Sequence, residues 1–196
     1  GQTDDLTQSL DYGEVCQFIK KLVETERYML IEKIAEEIAS GLLLTYDLLQ
    51  KVEITVKKPW APVRVHLDTV AVRIERGWHT VYLSIGSNMG DKEGYLDFAI
   101  DRLNALPDTK VTEVSVEQDN FLNGALKIQT LKSPEELLDT TMAIEQEAHR
   151  ERIVHWGPRT LDIDILFYDD AIIHTKRLTV PHIEIPKRTF VLEPLA

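Results

Sequence analysis

The strongest chemical pattern in the chain is Leu161-Asp162-Ile163-Asp164-Ile165. Side chains alternate along an extended strand, so both carboxylates lie on one face and the isoleucines on the other. Two carboxylates that close repel unless a cation bridges them, and hard oxygen donors suit magnesium. The plainer alternative is the solvated polar face of a sheet. Arg150, Arg152 and Arg159 stand just before the pair, and guanidinium groups are bidentate phosphate ligands that never lose their charge. Carboxylates and arginines side by side make sense if a polyphosphate lies between them. No stretch reads G-x-x-x-x-G-K-[ST], because Gly86–Gly90 is followed by Asp91 and Lys92, and no H-R-D catalytic loop occurs. Phosphoryl chemistry depends mostly on positioning and charge stabilisation, so metal and arginine would suffice.

The elements that must position these groups follow from periodicity. Val81–Ile85 reads as a strand, followed by the loop Gly86-Ser87-Asn88-Met89-Gly90-Asp91. Leu96, Ile100, Leu103 and Leu106 share one helical face. Val111–Ser115, Phe121–Thr130 and Thr160–Tyr168 read as strands. Ser133 as N-cap, Pro134 at the first helical position and Glu136 closing a capping box predict a helix to about His149. Strands mixed with two packed helices indicate an α+β sandwich.

The chain divides near Arg76-Gly77-Trp78-His79. Before that point Val15, Phe18, Ile19, Leu22 and Val23 keep helical spacing, as do Ile31, Ile34, Ala35, Ile38 and Leu42. Val52–Lys57 and Leu67–Glu75 alternate like strands, and Pro59-Trp60-Ala61-Pro62 between them excludes a helix. A two-stranded hairpin is marginal alone, so this half calls for further strands, from a partner or from another segment.

The 196 residues are 43% hydrophobic, enough for one sizeable core or two small ones, and the net charge of -11 argues against a general nucleic-acid binder. A local arginine cluster can still hold phosphate. The single cysteine, Cys16, excludes an intrachain disulfide framework and fits a reducing compartment. No apolar run approaches the roughly 18 residues of a membrane span, and the first residues lack a signal peptide's pattern. The expectation is a soluble cytoplasmic protein with neither membrane nor nucleic-acid partner.

His155-Trp156-Gly157-Pro158-Arg159-Thr160 followed by Leu161–Ile165 closely resembles the signature of the 6-hydroxymethyl-7,8-dihydropterin pyrophosphokinases of folate biosynthesis. The match continues through Gly86-Ser87-Asn88, Phe121-Leu122-Asn123, Glu145, Leu178-Thr179-Val180-Pro181-His182, Arg188 and Phe190, covering nearly all of residues 81–196. The resemblance implies a ferredoxin-like α/β fold. It also implies transfer of the β,γ-pyrophosphoryl group of ATP to the pterin's hydroxymethyl oxygen. Asp162 and Asp164 then match ligands of two magnesium ions on the ATP phosphates, with no organic cofactor. Arg150 and Arg152 match arginines of a loop closing over the triphosphate, Arg150 nearest the chemistry, and Arg159 matches one that holds phosphate and assists transfer. Glu145, Thr160, Ile165, Thr179, His182 and Arg188 match nucleotide contacts. Asn123 matches the residue that hydrogen-bonds the pterin edge, and Phe121, Trp156 and Phe190 match the stacking walls.

Some positions depart from the pattern. His155 stands where the family often has arginine, and Met142 where some members have glutamine. The family's pterin-covering T-x-P-x-G loop has only Ser115–Asn120 in its place, so a missing segment is expected across Ser115–Val116. The ending at Pro194-Leu195-Ala196 is also abrupt for the family.

In the first half, residues 4–9, Asp11-Tyr12-Gly13-Glu14-Val15, Leu30-Ile31-Glu32 and Lys57-Lys58-Pro59 resemble the later two-thirds of dihydroneopterin aldolase. That resemblance implies the tunnelling fold, an antiparallel sheet with two helices assembled into rings, here without its first two strands. Glu32 matches the carboxylate that anchors the pterin's amino-pyrimidine edge, Lys58 the general acid/base and Tyr12 a tyrosine supplied across a subunit interface. Lys58 precedes a Pro-Trp pair read as buried. No Schiff base is needed, because the pterin ring imine can accept the electrons released on C–C cleavage. Together the halves imply a bifunctional homo-oligomer that binds ATP and pterins. Its aldolase domain spans residues 1–76, a linker 77–80 and a kinase domain 81–196. Two alternatives stay open: a kinase with a non-catalytic oligomerisation module, and a non-enzymatic ATP sensor.

Overall fold

The computed structural model describes residues 9–87, 91–118, 122–148, 161–183 and 185. Two compact units divide the chain, Gly1–Trp78 and His79–Ala196. Among the described residues no helix is long and apolar enough to cross a membrane.

The first unit holds α1 (Tyr12–Thr25), α2 (Ile31–Thr45), β1 (Lys51–Lys58) and β2 (Val70–Gly77). Asp11 starts α1 by accepting the N–H groups of Gly13 and Glu14 at 2.7 and 3.2 Å, so two of the helix's orphan donors are satisfied. β1 and β2 pair antiparallel with Ile54 opposite Ile74 and Val56 opposite Val72. One face of this ribbon is apolar; the other carries the ion pairs Lys51–Glu75, at 2.8 Å, and Arg73–Glu53. α2 packs on both strands and buries Ala35, Ile38, Ala39, Leu42 and Leu43. α1 buries no residue fully. A Cβ at Gly41 would stand 2.7 Å from the Phe18 ring, so the missing side chain is what lets α1 seat on α2.

Two expectations need correction here. The second strand starts at Val70 rather than Leu67, because Lys58 opposite Val70 is the last pair before Pro59, which has no N–H to donate. Trp60 is 91% exposed in the turn after β1, so Lys58 does not adjoin a buried Pro-Trp.

The second unit runs β3 (His79–Ser87), α3 (Lys92–Asn104), β4 (Thr109–Gln118), β5 (Leu122–Thr130), α4 (Pro134–Glu147), β6 (Asp162–Tyr168), β7 (Ile173–His174) and β8 (Thr179–Val180). Four strands form an antiparallel sheet in the order β4-β5-β3-β6, while β7 and β8 make a short ribbon. Val81, Leu83 and Ile85 of β3, Leu126 and Ile128 of β5, and Ile163 and Ile165 of β6 share one core with Leu96, Ala99 and Leu103 of α3 and Leu137 and Ile144 of α4. With four helices and antiparallel sheets among the described residues, the chain is a mixed α and β structure.

α4 opens as its sequence predicts. The Ser133 hydroxyl accepts the Glu136 N–H, and the Glu136 carboxylate accepts the Ser133 N–H at 2.8 Å. α3 ends earlier than its apolar pattern suggests. Asn104 is its last residue, Ala99 joins the core face, and Leu106 packs on the core from the turn before Pro107. β4 continues through Ser115–Val116, which pair with Ala125 and Gly124.

Candidate functional site

β6 is an edge strand with β3 on its inner side. Ile163 and Ile165 face the buried core, so Asp162 and Asp164 stand half-buried on the opposite face. Gly86 lies opposite Asp162 and Ser84 opposite Asp164, while Asn123 on β5 lies opposite Gly86. Asn123, Gly86 and Asp162 thus form one row across three strands. A Cβ at Gly86 would stand 2.9 Å from the Asn123 Oδ1, so the amide leans into space that only a glycine leaves open. β3 runs on through Gly86 and Ser87, which the sequence pattern assigns to a loop, and a glycine inside a strand marks close approach.

Asp164 Oδ1 lies 3.9 Å from Nε2 of His182, whose main-chain N–H donates to the Leu166 carbonyl at 3.1 Å. Thr179 lies three residues before that main-chain tether, on β8 beside β6. Ile165 sends its side chain into the core, so only its main chain is left to meet a ligand. Glu145 is 6% exposed, and its carboxylate accepts the Ile163 N–H at 2.9 Å. At the end of β3, the buried Ser87 hydroxyl has no hydrogen-bond partner among the described residues.

The structure therefore gathers Asp162, Asp164, His182 and Asn123 around one face and edge of the sheet, with Glu145 reaching β6 from α4. Phe121, Arg150, Arg152, Trp156, Arg159, Thr160, Arg188 and Phe190 lie outside the described residues. No group of three or more His, Cys, Asp or Glu that could hold a metal occurs among the described residues. A pair of half-buried carboxylates still suits magnesium, which keeps waters and takes one or two carboxylates plus substrate phosphates.

Comparison with known proteins decides the family. Residues 82–196 match the model of 7,8-dihydro-6-hydroxymethylpterin-pyrophosphokinase. The chain belongs to that family. The pyrophosphokinase of Bacillus subtilis (strain 168) is 44% identical over 125 residues, which cover 59% of this chain and 75% of that protein. Residues 1–75 match the model of dihydroneopterin aldolase. The bifunctional protein FolKE of Lactococcus lactis subsp. lactis (strain IL1403) is 46% identical over 126 residues, 59% of this chain and 36% of that protein. The folic acid synthesis protein fol1 of Schizosaccharomyces pombe is 31% identical over 206 residues, 93% of this chain. The chain spans only 36% and 28% of the length of these two relatives.

The residues of the other predicted site all lie in the first unit. Tyr12 is 84% exposed at the start of α1, Glu32 is exposed in the first turn of α2 and Lys58 is exposed at the end of β1. Among the described residues no hydrogen bond or ion pair joins any two of them.

Proposed function

We propose that residues 81–196 are a kinase domain that moves the β,γ-pyrophosphoryl group of ATP onto the hydroxymethyl oxygen of 6-hydroxymethyl-7,8-dihydropterin, releasing AMP. The carrying observation is the row Asn123–Gly86–Asp162, which sets a donor-and-acceptor amide and a carboxylate pair on one sheet face, two strand spacings or roughly 10 Å apart. An amide offers the pterin edge both donor and acceptor, with Phe121, Trp156 and Phe190 as stacking walls. The order β-α-β-β-α-β, with both helices sharing the core face of the sheet, supports the ferredoxin-like fold. Asp162 and Asp164 would hold magnesium, two ions with ATP, and bound metal neutralises phosphate charge. His182, Thr179, Thr160, Arg188 and the main chain of Ile165 hold the nucleotide. In the transfer the hydroxymethyl oxygen attacks the β-phosphorus, the bond to the α-phosphate bridging oxygen breaks, and the hydroxyl proton leaves. Arg150, Arg152 and Arg159 offset the charge that moves onto the leaving AMP. ATP dependence fits a cytoplasmic location.

Residues 1–76 would be part of a dihydroneopterin aldolase domain of the tunnelling fold, joined to the kinase by residues 77–80, whose site forms in a homo-oligomer. Its half-buried ribbon face, with two strands among the described residues, supports completion by further strands. The exposure of Tyr12, Glu32 and Lys58, with no hydrogen bond or ion pair joining them among the described residues, leaves room for a second reading, a non-catalytic oligomerisation module. Two assays on the purified chain and the intact gene product decide. Asp164→Ala should abolish magnesium-dependent AMP formation with the fold intact; near-normal turnover would remove the carboxylate pair from the site. Lys58→Ala should abolish glycolaldehyde release and leave AMP formation unchanged, whereas a gene product that releases no glycolaldehyde at all would favour the module.

A further inference from the structure

Glu145 poses a chemical question that a nucleotide contact alone does not answer. A carboxylate on the buried side of α4, beside Leu137, Thr141 and Ile144, is costly unless strongly hydrogen-bonded. Its partner is the N–H of Ile163, 18 residues on, at 2.9 Å. Ile163 is the residue between Asp162 and Asp164, and its own side chain is locked in the core. Among the described residues β3 borders β6 on one side and no other strand pairs with it, so an N–H facing the other way meets no strand there.

We infer that Glu145 is a positioning residue for the aspartate pair: by clamping the main chain between them from the helix, it sets how both carboxylates are presented to a divalent cation. This rests on the reading of Asp162 and Asp164 as metal ligands. The clamp acts on the strand, so metal affinity depends on it while affinity for metal-free nucleotide does not. Groups behind metal ligands typically change metal affinity by about 10- to 100-fold when removed.

The test uses the full chain with Mn2+ as the probe, its binding followed by electron paramagnetic resonance with a non-hydrolysable ATP analogue. Analogue affinity in EDTA and amide exchange at Ile163 are measured alongside. Glu145→Gln keeps an acceptor oxygen and should retain wild-type Mn2+ affinity and a protected Ile163 amide. Glu145→Leu fills the space without an acceptor, so it should weaken Mn2+ binding by about 10-fold or more and speed exchange, with analogue affinity in EDTA unchanged. Glu145→Asp, one methylene shorter, should fall between them and serves if the leucine variant does not fold. Wild-type Mn2+ affinity in Glu145→Leu or Glu145→Asp overturns the inference. So does equal loss of metal-free analogue binding in Glu145→Gln, which would make Glu145 a nucleotide contact. Asp164→Ala is the control: if it keeps Mn2+ affinity, the metal reading itself fails, whereas loss there with normal binding in the Glu145 variants defeats only the clamp.

Discussion

Replacing Gly86 by alanine isolates recognition of the pterin from stability. Gly86 lies within β3, and the added Cβ would stand 2.9 Å from Asn123 Oδ1, a distance real Cβ atoms essentially never show. Ordinary contact begins near 3.4 Å, so the amide must withdraw by about half an ångström or rotate away. Nothing in the fold resists that shift strongly, since the clashing atom is the end of a side chain. The proposed ligand does resist it. Two neutral hydrogen bonds to the pterin edge contribute about 0.5–1.5 kcal/mol each, so their loss weakens pterin binding by roughly 5- to 150-fold. Alanine also removes a glycine from a strand, which favours folding by about 0.5–1 kcal/mol. Gly86→Ala should therefore raise the pterin KM, leave ATP affinity alone and not lower the thermal midpoint. Calorimetric titration with each substrate and a melting curve measure all three. A double-mutant cycle makes the reasoning vulnerable: in an Asn123→Ala background the alanine at position 86 should cost almost nothing. An undiminished penalty there would show that the glycine makes room for something other than Asn123.

Three further outcomes are expected. Burial raises the Tyr168 hydroxyl well above the ordinary tyrosine range, and that hydroxyl donates to the Lys132 carbonyl at 2.7 Å. A folded-state pKa raised above the unfolded value means stabilisation fully present below about pH 10 and lost as pH rises toward the folded value. Tyr168→Phe should cost about 1 kcal/mol at neutral pH and flatten the alkaline loss of stability in urea melts at pH 8 and pH 11. Ser133→Ala breaks the capping box of α4 and should cost about 1 kcal/mol by denaturant titration, with AMP formation unchanged at 25 °C. Arg150→Ala should lower kcat far more than it weakens ATP binding, as single-turnover rates and ATP titration would show; equal losses would assign it to ground-state binding.

Local patterns in the sequence were read correctly where the physics is local. The two-residue period put Asp162 and Asp164 on one face and the isoleucines on the other, and the Ser133-Pro134-Glu136 motif marked the start of α4. Readings failed where distant contacts decide. Leu106 keeps helical spacing, yet Pro107 follows it and α3 has already ended at Asn104. The Pro-Trp pair after Lys58 was read as buried, but Trp60 stands 91% exposed in the turn after β1. Glu145 could not be tied to Ile163 from spacing, because 18 residues and a helix-to-strand crossing separate a donor and acceptor that meet only in the folded unit.

The chemistry of this face depends on a parity that a slip of one residue would destroy. Moving β6 by one position against β3 would turn both aspartates into the core and both isoleucines onto the ligand face. The ladder does contain an irregularity, and its position matters. Leu83 pairs with Ile165, but Tyr82 pairs with Phe167, which leaves Leu166 as an extra residue. Up to Ile165 the alternation is undisturbed, so Asp162 and Asp164 keep their shared face. Beyond it the phase inverts. Leu166 joins a small cluster with Tyr82, Phe167 and Ile185, while Tyr168, which strict alternation would have turned outward, reaches the main core. The bulge thus lets one strand serve two requirements, polar ligands at its start and a buried tyrosine at its end. Buried Ile163 and Ile165, and the Glu145 carboxylate on the N–H between the aspartates, hold the first segment in a register that presents both carboxylates on the ligand face.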